Sequence, residues 1–278
     1  MPTRLARVSC SVVCYCNEPA QLARTLASVV AAGIDMALYL VDNSPQDTFA
    51  SLARQFGATY IHLPHNPGFG AGHNVALRAA QAAGVDYHLV LNPDIVFGEQ
   101  VVPALVDYLE QHRDIGLIMP KILYPDGRLQ RLCKLLPGPV DLLMRRFCAS
   151  WYRQSGRLAR YELHESGYDK VMEVPALSGC FMLMRSAVLR ETGGFDERFF
   201  MYLEDVDLSR RIGRIARTVY CPLVSVVHEY GKGSYMSVKL LQYHVRSAIL
   251  YFNKWGWFVD AEREAINQSA LQKIQSTS

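Results

Sequence analysis

The sequence predicts an α/β protein with a mostly parallel central sheet flanked by helices. Three observations predict it. Short apolar segments alternate with helix-periodic ones through the first half of the chain, the pattern of repeated strand–helix–strand units. The strand-like segments are apolar on both faces, as strands are when helices cover a parallel sheet from both sides. Polar residues gather just past the carboxyl ends of these segments, where open α/β sheets bind ligands.

Each element has its own signal. "VSCSVVCY" (8–15) is the first strand. "EPAQLARTLASVVAAG" (18–33) is a helix with proline in its first turn and Gly33 at its end. "MALYLVDN" (36–43) is the second strand, with Asp42 near its end. A helix is expected over 46–56 and a third strand at "TYIHL" (59–63). The glycine-rich "HNPGFGAGHN" (65–74) reads as a loop, followed by an alanine-rich helix over 74–83. "YHLVLN" (87–92) is a buried central strand, a helix follows over 99–112, and "IGLIMPKIL" (115–123) is another strand. Further on, "CFMLMR" (180–185) is a strand and "GGFDERFF" (193–200) a turn. A helix starts at Glu204 with Leu208 and Ile212 as its buried stripe. "SVVHEYGKGSY" (225–235) opens with a strand ending at His228. The expected layout is one catalytic unit over 1–235, with an insert over 128–161, and a helical extension over 236–278.

Composition bounds the class. Half of the 278 residues are hydrophobic and the formal net charge is +3, which suits a folded chain and not a disordered one. No apolar run reaches the roughly 20 residues that span a bilayer, and the N-terminus has no signal-peptide core, so a cytoplasmic location is expected. The seven cysteines contain no CxxC pair and read as reduced core residues. Residues 128–161 hold eight Lys or Arg and one acid, a local balance of +7, so the remainder is net −4. Bulky apolar residues are interleaved there, and again in "KLLQYHVRSAILYFNKWGWF" (239–258), where Leu241, Val245, Ile249 and Phe252 share a helical face. Basic plus bulky apolar suggests an anionic membrane surface. The alternatives are an intramolecular flap for the first segment and packing on the sheet for the second. No nucleic-acid motif accompanies the basic run.

Candidate site residues stand at the strand ends. In "LVLNPDIVF" (89–97), Pro93 removes a ladder donor and forces the chain out of the sheet, so Asp94 sits on a stiff turn. Asp42 and Asp94 at one sheet edge would repel unless a cation or ligand donors lay between them. Their structural alternatives are a helix cap for Asp94 and an Asx-turn with Asn43 and Ser44 for Asp42. Gly68, Gly70 and Gly72 would let backbone amides approach a ligand, though G-x-G-x-G is neither a dinucleotide nor a Walker motif. The first-turn acids Glu204, Asp205 and Asp207 suit the helix dipole. Asp207 has Arg211 four residues on as an ion-pair partner. Asp205 has only Ser209 there, which makes it the candidate general base.

The ordered set "VDNSP", "HNPGFGAGHN", "LNPD", "GGFDERFFMYLEDVDLSRR" and "VVHEYGKGSY" resembles glycosyltransferase family 2 over about residues 8–255. These are inverting nucleotide-sugar transferases of GT-A fold, and the chain resembles most their bacterial rhamnosyltransferase-type members. The resemblance implies transfer of a sugar, rhamnose from dTDP-rhamnose, to a lipopolysaccharide, O-antigen or other surface-polysaccharide acceptor. It implies that Asp42 contacts the nucleotide, with Asn17 and Glu18 flanking the base. It implies that Asn66, Gly68, Gly70 and Asn74 shape the nucleotide pocket. Asp94 matches the last residue of the family's Asp-X-Asp motif, which holds Mg²⁺ or Mn²⁺ on the diphosphate. Asn92 stands where the first Asp would be, one charge fewer. Asp205 matches the catalytic base and His228 a late histidine that reaches the metal or phosphate. A glycan or glycolipid acceptor and attachment to the inner face of the cytoplasmic membrane follow as expectations. The alternatives are a UDP-sugar donor on the same fold, or a non-catalytic nucleotide-binding module. A sugar nucleotidyltransferase would carry an N-terminal G-x-G-x-R segment with a lysine, and "CYCNEPAQ" has neither.

Overall fold

The structure, a computed structural model, describes residues 7–229 and 238–277. Strand–helix alternation runs as expected: β1 (Val8–Cys14), α1 (Pro19–Val30), β2 (Met36–Asp42), α2 (Ala50–Gln55), β3 (Thr59–His62), α3 (Phe69–Ala82), β4 (Tyr87–Leu91). Then come β5 (Ile95–Phe97), α4 (Val101–Gln111) and β6 (Ile115–Leu123). The basic insert folds as three short helices, α5 (Pro139–Phe147), α6 (Ala149–Gln154) and α7 (Arg157–Tyr161). After β7 (Met172–Glu173) follow β8 (Phe181–Arg185), α8 (Ser186–Thr192), α9 (Glu204–Ile212), β9 (Arg217–His228), α10 (Val238–Trp255) and α11 (Ala261–Thr277).

The sheet order is β3-β2-β1-β4-β8-β6-β9-β5, with β7 paired to β9. The β3-β2-β1-β4 half is parallel throughout. Beyond β4 the sheet departs from the mostly parallel expectation. β8 is antiparallel to β4 and β6, β5 is antiparallel to β9, and only β6–β9 is parallel. β8 follows a long excursion through the insert instead of a single crossover helix, so nothing obliges it to run parallel.

Alternation along β1 covers both faces. Val12 joins Leu22, Leu26, Leu40, Leu89 and Leu105 on the α1/α4 side. Val13 joins Tyr39, Val41, Ala76 and Ala80 on the α3 side. Ser9 and Ser11 face that second side with two buried histidines. Ser11 Oγ bridges His73 Nδ1 at 2.7 Å and His88 Nε2 at 2.8 Å, and Ser9 Oγ meets His88 Nδ1 at 2.8 Å. Burial pushes the His88 pKa down to about 3 and that of His73 well below its ordinary value, so this polar chain is neutral.

The C-terminal helices are fastened to α9. The buried Arg210 guanidinium pairs with both Asp260 oxygens at 2.7 Å, with Glu262 at 2.7 Å, and lies 4.2 Å from the Trp255 ring centroid. A satellite core of Leu136, Phe199, Leu203, Tyr251 and Phe252 seats α10 beside the chain that enters α9. The expected single stripe on α10 therefore divides. Phe252 is buried, whereas Val245 and Ile249 are each 46% exposed, because Ser247, Tyr251 and Phe252 form the packed face. No described helix is long and apolar enough to cross a membrane. All seven cysteines are free, and five are buried as expected. Cys16 and Cys148 are exposed, since each lies beyond the end of its strand or helix.

Candidate active site

Several of the strand-end residues open onto one cleft of about 1240 Å³. Asn17, Asn66, Gly68, Asn92, Asp94, Asp205 and His228 all line it. The volume exceeds that of common single-ligand sites, so two substrates fit.

Register brings Asp94 to His228. Ile95 pairs with His228 across β5–β9, and Glu229 N donates to Asp94 O at 2.8 Å. Thr25 of α1 pins the preceding turn by donating to Pro93 O at 2.8 Å. Asp94 enters β5, not a helix, so it caps nothing. Its Oδ1 lies 3.2 Å from His228 Nε2. That oxygen is buried with no hydrogen-bond partner among the described residues.

Asp205 is delivered by a turn in an unusual conformation. Tyr202 and Leu203 hold φ of 72° and 64°, a left-handed region that non-glycine residues occupy at a cost of about 1–3 kcal/mol each. The turn ends in the acidic first turn of α9. Asp205 Oδ2 accepts from Gly179 N at 2.9 Å and Oδ1 from Val206 N at 2.8 Å, which orients the carboxylate. A Cβ on Gly179 would come within 3.3 Å of both Asp205 Cβ and the Phe69 ring, so glycine keeps this approach open. Burial, and then the charge of Asp205, raise the Glu204 carboxyl well above the usual carboxylate range. That shift favours the neutral form of Glu204. Asp207 is buried and committed elsewhere, to Arg211 at 2.8 Å as expected, and also to Lys254 and Trp255.

Four of the expected nucleotide contacts do not line the cleft and are engaged within the protein. The Asx-turn alternative holds for Asp42: Oδ1 accepts from Ser44 N and Oδ2 from Tyr60 Oη, each at 2.8 Å, and the residue is fully buried. Its neighbour Asn43 lines the cleft instead. Glu18 is the N-cap of α1, accepting from Ala20 N and Gln21 N. The glycine loop is largely helical, since α3 already begins at Phe69. Gly70 is therefore a packing residue, and a Cβ there would sit 2.8 Å from Phe195 Cβ. Asn74 clasps the 193–200 turn through Phe195 N and O at 2.9 and 2.8 Å. Gly68 alone keeps the loop conformation, at φ 102°, with Phe200 O where a Cβ would be.

The cleft also holds Glu204 and residues the sequence did not single out: Ser178, Gly179, Gln130 and the cations Arg128, Arg131, Lys134 and Lys239. The first three of those cations belong to the basic run, so that run is in part a cleft wall.

The Glycosyl transferase family 2 profile matches residues 10–193. The chain belongs to this family. It is 30% identical over 228 residues to the N-acetylglucosaminyl-diphospho-decaprenol L-rhamnosyltransferase of Mycobacterium tuberculosis, covering 78% of this chain and 74% of that one. It is 28% identical over 215 residues to the rhamnosyltransferase WbbL of Escherichia coli K12, covering 72% and 77%. In fold it is similar to the mannosyltransferase PcManGT from Pyrobaculum calidifontis, solved with GDP-Man and Mn²⁺, at a TM-score of 0.61 and 16% identity over 100% of this chain and 77% of that one. It is similar also to S. aureus TarS 1-349 in complex with UDP, at 0.60 and 16% over 95% and 70%. The protein is thus a glycosyltransferase of GT-A fold, and the cleft is where its chemistry is to be sought.

Among the described residues no group of three or more His, Cys, Asp or Glu is gathered for a metal. Asp94 and His228 still fit a cation that is mostly held by substrate. Mg²⁺ and Mn²⁺ sites of that kind use one or two carboxylates and complete their shell with phosphates and water.

Proposed function

We propose that this glycosyltransferase moves rhamnose from dTDP-rhamnose, with inversion, to a lipid-linked saccharide that becomes lipopolysaccharide, O-antigen or another surface polysaccharide. The observation that carries the reading is the oriented Asp205 carboxylate on the same cleft as the Asp94–His228 pair. The names of the two rhamnosyltransferase relatives support the sugar, and that of the Mycobacterium tuberculosis relative supports a lipid-linked acceptor.

Asp205 takes the proton of the acceptor hydroxyl as its oxygen attacks the anomeric carbon. The bond to the diphosphate breaks on the opposite face, and the nucleotide leaves. Asp94 and His228 would hold a divalent cation, which when bound neutralises charge on the leaving diphosphate. Asn17, Asn66 and Asn92 offer neutral hydrogen-bonding groups for the nucleotide, and Gly68 lets the backbone approach it. The test supplies dTDP-rhamnose or UDP-sugars with a lipid-linked acceptor. Rhamnosylated product from dTDP-rhamnose alone is expected. Product from a UDP-sugar alone would replace the donor assignment, and no product from any donor would favour a nucleotide-binding module.

The same reading includes reversible docking to the inner face of the cytoplasmic membrane. Val140, Leu143 and Trp151 are exposed on the insert helices, Val245 and Ile249 on α10, and Phe258 and Val259 beyond it, the last two 78% and 89% exposed. Arg153, Arg157 and Arg246 are basic residues of the same elements. Each basic residue near an anionic surface contributes about 1 kcal/mol. Co-sedimentation with anionic liposomes is expected to fall with salt and to be lost when these three arginines become Glu. Equal binding to neutral vesicles, or none to either, would leave the insert as an acceptor-site flap.

A further inference from the structure

The cleft contains one fully engaged amide whose orientation has a consequence for His228. Gln130 is 5% exposed, on the segment that bridges back to β6 at Leu123 and Leu129. Its Nε2 donates to His228 O at 3.1 Å and to Leu123 O at 3.4 Å. Both partners are carbonyls and can only accept, so the amide nitrogen must face them. The amide oxygen is thereby turned to His228 Nδ1, at 2.9 Å. An amide oxygen only accepts, so Nδ1 carries a hydrogen. In the neutral ring Nε2 is then the lone-pair nitrogen, and it is the atom 3.2 Å from Asp94 Oδ1.

We propose that Gln130 is a positioning residue that holds His228 in its Nδ1–H tautomer, so that Nε2 and Asp94 Oδ1 converge on the cation carried by the donor diphosphate. The inference rests on the metal reading given above. The opposite tautomer would point N–H at the cation and could not ligate it. Metal-binding histidines commonly have their second nitrogen fixed in this way, and loss of the partner typically costs 10–100-fold in metal affinity. Here the partner is neutral and is itself locked by two backbone carbonyls, one of them the histidine's own. Ring and amide therefore form one closed unit, and neither can flip alone without leaving a buried donor or acceptor unmatched.

Two measurements on the full-length protein test this. The first is ¹⁵N NMR of histidine-labelled wild type at alkaline pH, with the His228 signals assigned by their absence from His228→Gln. The expected result is protonated Nδ1 and unprotonated Nε2; a ring protonated at Nε2 overturns the proposal whether or not any variant folds. The second is Mn²⁺ affinity by electron paramagnetic resonance in the presence of dTDP, for wild type and Gln130→Leu. A loss of about 10–100-fold is expected, with metal-free dTDP affinity unchanged and the Nε2–H tautomer gaining population. Affinity within threefold of wild type in a folded Gln130→Leu overturns the proposal. If wild type with dTDP binds no Mn²⁺ at all, the metal reading itself has failed, a result separable from the variant comparison.

Discussion

Replacing Asp205 by asparagine is expected to lower the transfer rate by about 10³-fold, within the range that general bases contribute, while donor affinity stays within about twofold. The two backbone donors that orient the carboxylate are Gly179 N and Val206 N. An asparagine oxygen can satisfy one of them, so the turn should survive. The amide cannot take a proton. Glu204, the neighbouring acid, is buried and its neutral form is favoured, so it is a poor replacement for the carboxylate. Single-turnover rates and donor affinity by calorimetry separate the two effects. A rate within about tenfold of wild type, roughly 1.4 kcal/mol of barrier, would remove Asp205 from the base role.

Asp94→Ala is expected to weaken Mn²⁺-dependent binding of the nucleoside diphosphate by about 100-fold or more. Loss of a mere outer-sphere partner costs 10–100-fold, and Asp94 is the cleft carboxylate beside His228. Asn92 adds no charge, so Asp94 has no acidic understudy in that tripeptide. Binding without metal should change little, and the variant should lose its response to chelator. If chelator leaves wild-type binding untouched, the Asn92 departure marks a metal-independent site instead. His228 and the cations Arg128 and Arg131 would then serve the phosphates directly.

The parts of the site that local rules govern were legible in the sequence. Pro93 announced the end of β4, and strand-end placement marked Asp94 and His228. The acidic start of α9 marked Asp205. What stayed hidden depends on partners far away in the chain. Asn74 serves Phe195, 121 residues distant, and Gln130 serves His228, 98 residues distant. Neither has a local signature. Gly70 looked like a loop glycine because its packing partner, Phe195, is equally remote. The sequence offered Asp42 as ligand or Asx-turn; the Asx-turn forms, and the second oxygen is taken by Tyr60, supplied by β3. Most strands were readable from apolar runs, but the short β5 and β7 were not, nor was the sense of β8, because a long insert permits either direction.

Single displacement at the Asp205 cleft fixes the stereochemistry of the product. NMR of the glycoside formed from dTDP-rhamnose and a lipid-linked acceptor reports the new anomeric configuration. The expected configuration is opposite to that of the donor, with product from Asp205→Asn forming about 10³-fold more slowly. A product that retains the donor configuration would contradict it, because retention needs a second displacement or a same-face attack that a lone base at Asp205 does not provide.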